Sequence, residues 1–279
     1  LSNIRLSERM AALARLASGG AAADIGTDHG FVPIFMVQNG LCGRAVLSDI
    51  NEGPLKKAEE NISASGLDPE LFDLRLGGGL SVLEDGEVDS VIIAGMGGEL
   101  IASILGEDIQ KSRSFKTFVL QPRTRAEVLR RWLDVNGFAV TGEFLVRERG
   151  RICQIIRAMP VEPSGVLFDN TEEPGECADG GIELVAKRAD GSVDSKAGEA
   201  DCGDLHSSTG CRECFRDWTD YIYPPMILES EDPLAREYIQ SEAARLKTLL
   251  ERLSESRDPY SVEEERAKTA ALLEKLSRS

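Results

Sequence analysis

From Ala21 to Met159, short apolar runs alternate with stretches of helical spacing, and this alternation constrains the fold more than any other feature of the chain. Neighbouring parallel strands need a long crossover between them, so the rhythm predicts a parallel sheet with helices on its faces. The expected strands are Ala21–Ile25, Arg44–Leu47 ending at Ser48-Asp49, Phe72–Leu76, Ser90–Ala94 and Thr117–Leu120. Helices are expected from Val32 to Asn39, from Pro54 to Ser65 with Gly66 as the stop, from Glu99 to Leu105, and from Thr124 to Val135 closed by Gly137. Ala139–Val146 and Ile152–Ala158 flank Arg147-Glu148-Arg149-Gly150-Arg151 and read as a hairpin. The pattern therefore predicts an α/β fold built on a seven-stranded, doubly wound sheet.

The rhythm stops near residue 160. Residues 161–222 are rich in Gly, Ser, Asp and Glu, and read as an acidic, cysteine-containing insertion with the composition of a disordered segment. Residues 223–279 regain helical spacing. Asp232-Pro233 supplies an N-cap and a first-turn proline, and Leu234, Tyr238, Leu246, Leu249, Leu250 and Leu253 fall largely on one side. A second helix is expected near Ser261, with Glu264 completing a capping box. The pair reads as a C-terminal helical hairpin behind a sheet domain of residues 1–160.

Composition excludes several classes. No apolar stretch is long enough to span a bilayer, and Arg5, Glu8, Arg9 and Arg15 make the N-terminus an amphipathic helix rather than a secretory signal. Six scattered cysteines in a chain of this size fit a reducing, cytoplasmic setting. The oligomeric state is open, with a monomer favoured. Cys177, Cys202, His206, Cys211 and Cys214 contain one Cys-x-x-Cys pair, a spacing that can grip zinc, but the rest matches no standard finger and no metal is assigned. The net charge of −16 is unevenly spread: residues 161–220 hold 15 acidic against 5 basic groups, whereas 113–157 hold ten basic against four acidic. That basic stretch is either a phosphate-binding face or a solvated surface of mixed charge.

The turn after the first strand, Ala23-Asp24-Ile25-Gly26-Thr27-Asp28-His29-Gly30, lacks the Gly-x-Gly-x-x-Gly of dinucleotide sites. A carboxylate before the glycine suits a cofactor with a cationic amino group and no pyrophosphate. A tight β–α turn with no ligand fits the same residues. Asp49, closing the second strand, can accept from two ribose hydroxyls, and together the two carboxylates point to an adenosine-containing ligand at the sheet's carboxyl edge. Gly95-Met96-Gly97-Gly98, closing the fourth strand, either leaves room for a flat base or is simply a close backbone turn.

The blocks ADIGTDHGFVPI, SDIN, IIAGMGG, LQPR and GRICQII, in this order, resemble the bacterial tRNA (adenine-N1) methyltransferase family that modifies position 22. The likeness covers residues 5–159 well and 222–255 loosely. It implies a Rossmann-like class I methyltransferase domain with a coiled-coil-like C-terminal part, S-adenosyl-L-methionine as cofactor and tRNA as partner, with no membrane. It further implies that Asp24, Gly26, Thr27, Asp49, Ile50, Gly78, Ala94 and Gly95 hold the cofactor. Asp28 and His29 would lie near the transferred methyl, while Met96, Gly97, Gly98, Gln121, Pro122, Arg123 and Arg125 would receive the substrate. Where that family carries Gly-Asp-Gly-Leu, this chain has Gly77-Gly78-Gly79-Leu80, without the carboxylate. The other readings are a methyltransferase of the same fold acting elsewhere, and a non-catalytic RNA-binding or scaffold protein.

Overall fold

The computed structural model describes residues 5–161, 217–255 and 259–278. In chain order the sheet region runs α1 (Glu8–Leu16), β1 (Ala21–Ile25), α2 (Phe31–Gln38), β2 (Arg44–Asp49), α3 (Glu52–Ser65) and β3 (Phe72–Leu76). It continues with β4 (Ser90–Gly97), α4 (Gly98–Glu107), α5 (Ile109–Ser114), β5 (Thr117–Thr124), α6 (Ala126–Val135), β6 (Phe138–Glu148) and β7 (Arg151–Pro160). The sheet has seven strands in the order β3-β2-β1-β4-β5-β7-β6. Strands β1 to β5 pair in parallel, and β7 lies antiparallel to both β5 and β6. The order reverses at β1, whose two neighbours are β2 and β4. That is the switch point where doubly wound sheets open a crevice.

Side-chain alternation along the central strands feeds two apolar layers. Val91 and Ile93 of β4, with Phe118 and Leu120 of β5, face Ile101 and Leu105 of α4 and Leu129 and Leu133 of α6. Ile92 and Val119 face the other way, toward Leu13 of α1, Ile34 and Met36 of α2, and Ala58 and Ile62 of α3. Both faces are covered, so these strands read as continuous apolar runs rather than alternating ones.

Two strands run further than their apolar runs imply. β4 continues past Ala94 to Gly97, and β5 past Leu120 to Thr124, because Ala94 pairs with Gln121, Met96 with Pro122 and Gly97 with Thr124. The register shifts on either side of Met96, and Gly95 takes φ +79° at the irregularity. A bulge of this kind accommodates Pro122, which has no N–H to give to a regular ladder. As a result α6 starts at Ala126 instead of Thr124. Helix α5 was not expected; the Asp108 carboxylate caps it by accepting from the amides of Gln110 and Lys111, both at 3.0 Å.

The C-terminal part consists of α7 (Trp218–Ile222), α8 (Pro225–Leu228), α9 (Pro233–Ser254) and α10 (Pro259–Arg278). Helix α7 falls inside the 161–222 segment, capped by reciprocal hydrogen bonds between Asp217 and Asp220. Asp232 caps α9 by accepting from the Leu234 amide at 2.8 Å, and α10 begins at Pro259, two residues ahead of Ser261. Tyr223, Leu246 and Leu276 form the core between them. Among the described residues no helix is long and apolar enough to cross a membrane, and no group of three metal-ligating side chains occurs. Cys177, Cys202, His206, Cys211 and Cys214 lie outside the described residues, as does nearly all of the acidic segment.

Candidate active site

The exits of β1, β2 and β3 lie side by side at the switch point. The amides of Gly26 and Thr27 both donate to the Ser48 carbonyl, at 2.8 and 2.9 Å, which stitches the turn after β1 to the end of β2. Gly26 holds φ +79°, and a Cβ there would sit 2.3 Å from the Met96 methyl. A side chain there would displace the flexible Met96 end, and the positive φ is what favours glycine at this turn. Burial pushes the Asp24 carboxyl up to about 6; the nearby Thr27 hydroxyl and Arg9 pull it down, while Asp49 adds to the rise. The Thr27 hydroxyl and that of Ser48 are buried, and neither closes an oriented hydrogen bond among the described residues.

Asp49 Oδ1 accepts from the Asn51 amide at 2.8 Å and from Asn51 Nδ2 at 3.2 Å, and no described group bonds to Oδ2. The Gly77 amide donates to the Asp49 carbonyl at 2.9 Å, which brings the glycine run after β3 alongside. Ile50 is 72% exposed, and a Cβ on Gly78 would come within 2.9 Å of its Cγ2. An outward-facing apolar side chain beside a bare backbone makes a platform for a flat ring.

The β4 and β5 exits form the other wall. Gln121 is buried; its Oε1 accepts from the Gly95 amide at 3.2 Å and from Arg9 Nη1 at 3.3 Å, and its Nε2 donates to the Pro122 carbonyl at 3.0 Å. Arg9 is itself anchored, donating from Nε to Glu148 at 2.6 Å, and Ser7 donates to the same carboxylate at 2.6 Å. Sequence reading did not place Arg9 or Glu148 at the site. Their only signal was a charged residue interrupting an amphipathic helix and another at a hairpin tip.

Gly98 opens α4 where a Cβ would sit 2.1 Å from the Arg125 carbonyl oxygen. Gly98→Ala is therefore expected to cost about 1–3 kcal/mol of stability by overpacking; chemical denaturation checks this, and a neutral outcome would mean the two exits are loosely joined. Arg125 adopts φ +58°, and its guanidinium lies 3.3 Å from Glu99 and 2.9 Å from Glu127. Arg123 is exposed with no carboxylate partner among the described residues. Asp28 projects outward, its side chain 72% exposed, with His29 Nδ1 at 2.8 Å and Lys57 Nζ at 4.0 Å. His29 stacks on Phe31 with ring centres 5.3 Å apart, and its carbonyl accepts from Asn61 Nδ2 at 2.9 Å.

A parallel sheet reversing at β1, with acidic and glycine-bearing turns at that reversal, defines the nucleoside-binding α/β class. Residues 6–156 match the family described as Methyltransferase domain. The chain belongs to that family. It is 35% identical over 159 residues, 57% of this chain and 66% of the relative, to the Bacillus subtilis protein named tRNA (adenine(22)-N(1))-methyltransferase. A Mycoplasma pneumoniae relative is 34% identical over 135 residues, 48% of this chain and 60% of its own length. The match thus spans less than two thirds of either curated relative. Among solved structures, a Streptococcus agalactiae protein of the NADB-Rossmann superfamily superposes with a TM-score of 0.71 at 27% identity, over 99% of this chain and 98% of its own. A Streptococcus pneumoniae structure in complex with S-adenosyl-L-methionine does so at 0.68 and 26%, over 98% and 99%.

Proposed function

We propose that this protein transfers a methyl group from S-adenosyl-L-methionine to N1 of an adenine in tRNA, at position 22. The observation that carries the reading is the meeting of the Asp24–Gly26 turn with the Met96 exit beside Asp49. The name of the Bacillus subtilis relative supports the substrate, and the cofactor in the Streptococcus pneumoniae structure supports the methyl donor. The residues present fit that donor. Asp24 offers a half-buried carboxylate to a cationic amino group, Asp49 Oδ2, unbonded among the described residues, can take a ribose hydroxyl, and Ile50 with Gly78 offers a ring platform. The absent carboxylate at Gly78 leaves recognition of the cofactor's base to that platform and to backbone groups.

When bound, the cofactor supplies a methyl group activated on a sulfonium centre. Adenine N1 carries its lone pair at neutral pH, so the site needs no strong base to create the nucleophile. Its work is positioning, with a base taken out of its stack and held in line. A side chain at Gly95 would point into open space, which is where a ring can sit, and Gln121 fixes the Gly95 amide at its edge. The methylated ring is cationic. Asp28, held in place by His29 and Lys57, is the carboxylate that balances this charge or contacts the exocyclic amine. A tRNA substrate also fits a cytoplasmic setting.

The test is calorimetry with the cofactor, followed by methyl transfer to an unmodified tRNA transcript and mapping of the modified nucleotide. Cofactor binding with no modified adenine would overturn the substrate. Asp28→Asn is expected to lower kcat roughly two- to fivefold, the scale of one exposed charge, with cofactor affinity unchanged. Equal kcat would remove Asp28 from the mechanism.

A further inference from the structure

The β6–β7 hairpin carries a feature that the methyl-transfer site does not use. Pairing of β5 with β7 ends at Leu120 and Ile156, whereas pairing of β6 with β7 continues to Glu148 and Arg151. Five residues at strand rise carry the hairpin roughly 17 Å beyond the last β5 pair. Because β7 is antiparallel to β5, this projection is toward the carboxyl edge, where the site lies.

A two-residue loop, Arg149-Gly150, closes the hairpin, with φ +49° and +78°. Both central residues are left-handed, as a type I′ turn requires, and Asn, Asp or Gly fill the first position at lowest cost. An arginine there is held in a strained conformation. Strain of this kind points to a role for the side chain beyond the turn.

Charges around the tip are unequally satisfied. Arg147 pairs with Glu237, Arg125 with Glu99 and Glu127, and Glu148 is taken by Arg9 and Ser7. Arg123, Arg149 and Arg151 are exposed, and among the described residues none has a carboxylate within salt-bridge distance. They belong to one patch: Arg9 hydrogen-bonds both Glu148, next to Arg149 at the tip, and Gln121, two residues before Arg123 on β5, and Arg123 and Arg151 both lower the pKa of the Cys153 thiol against its burial.

We propose that Arg149 and Arg151 at this tip, with Arg123 beside them, grip phosphates of the RNA whose base enters the site. The proposal rests on the reading of tRNA as substrate. It accounts for a cationic edge on a chain of net charge −16 and for an arginine kept where asparagine fits better. Guanidinium groups in water, with no carboxylate to leave, can engage phosphate oxygens and release counterions.

The experiment measures binding of a tRNA transcript at several salt concentrations, with melting temperatures, for the full chain and for Arg149→Asn, Arg151→Gln and the double variant. Arg149→Asn is expected to melt at or above the parent temperature while its tRNA Kd rises several-fold. The double variant is expected to lose at least about tenfold and to flatten the salt dependence by roughly one to two units of slope, with cofactor affinity unchanged. A lower melting temperature for Arg149→Asn would overturn the strain argument. Parental affinity and slope in the double variant would overturn the grip. A parent that binds tRNA through this tip yet methylates none sinks the assigned activity and leaves the grip standing; a parent that does neither sinks both.

Discussion

Asp24→Asn is expected to stabilise the free protein and, in the same variant, to weaken S-adenosyl-L-methionine binding about 100-fold, the scale of a lost charge-assisted hydrogen bond in a partly buried site. Both effects come from one carboxylate. Burial raises its pKa from 3.8 to about 6, so at neutral pH the folded chain holds an ionised group that solvent would hold better. That shift corresponds to at most about 3 kcal/mol, and an amide of the same shape removes it. The pH dependence has a definite sign. Between about pH 4 and 6 the folded state binds more protons than the unfolded one, so this group's contribution declines as pH rises through that window and is flat above it. Glu87 works in the other direction. Its hydrogen bond to Arg75 lowers it from 4.5 to about 2, and its contribution is lost only as pH falls through that lower range. Subtracting the melting curves of the Asn variant from those of the parent isolates Asp24. Cofactor affinity in the parent should fall about tenfold per pH unit below 6, as a proton competes with the ligand's ammonium group. A variant that melts lower at pH 7 and binds the cofactor as tightly as the parent would remove Asp24 from the site.

The strand–helix succession was legible because it is local. Each strand is an apolar run between turn residues, and the stops at Gly66 and Gly137 are left-handed as a helix end requires. The Asp24 and Asp49 turns were legible for the same reason. The extension of β4 and β5 was not, since Met96 and Pro122 become strand residues only by pairing with each other across a bulge at Gly95. Nor was the anchoring of Gln121, whose partner Arg9 is 112 positions away, or that of Arg9 on Glu148, 139 positions away. Charge counting resolved least. The ten basic residues of 113–157 left a phosphate-binding face and a solvated surface of mixed charge equally open; in the structure Arg125 and Arg147 are paired with carboxylates and Arg130 is buried, while Arg123, Arg149 and Arg151 are exposed. A count of charges carries no information about which ones face water.

Arg130 is the residue whose loss should cost the most. Its side chain is 1% exposed and that of its partner Glu143 is 0% exposed, with Nε donating to Oε1 at 2.6 Å and Nη2 to Oε2 at 3.2 Å. The guanidinium also donates to Gln154 Oε1 and to the Tyr221 carbonyl, both at 2.8 Å. Gln154 Nε2 then donates to the Tyr238 hydroxyl at 2.6 Å, and the Tyr221 hydroxyl donates to Asp134 at 2.6 Å. One buried cation thus joins α6, β6 and β7 to α7 and α9. Arg130→Ala leaves a carboxylate and a carbonyl buried without their donor, and is expected to cost about 3–5 kcal/mol. Replacing both partners with apolar groups of similar volume, Arg130→Met with Glu143→Leu, should recover most of that loss, because the desolvation of two charges disappears together with their attraction. Denaturant unfolding gives the stabilities, and hydrogen exchange should show protection lost first in residues 217–255, which the network ties to the sheet. If the single variant unfolds at the parental midpoint, the charge is less buried than the structure holds it. If instead the double variant is no better than the single, the pair contributes by its own attraction, and the C-terminal helices owe their seat to that ion pair rather than to packing.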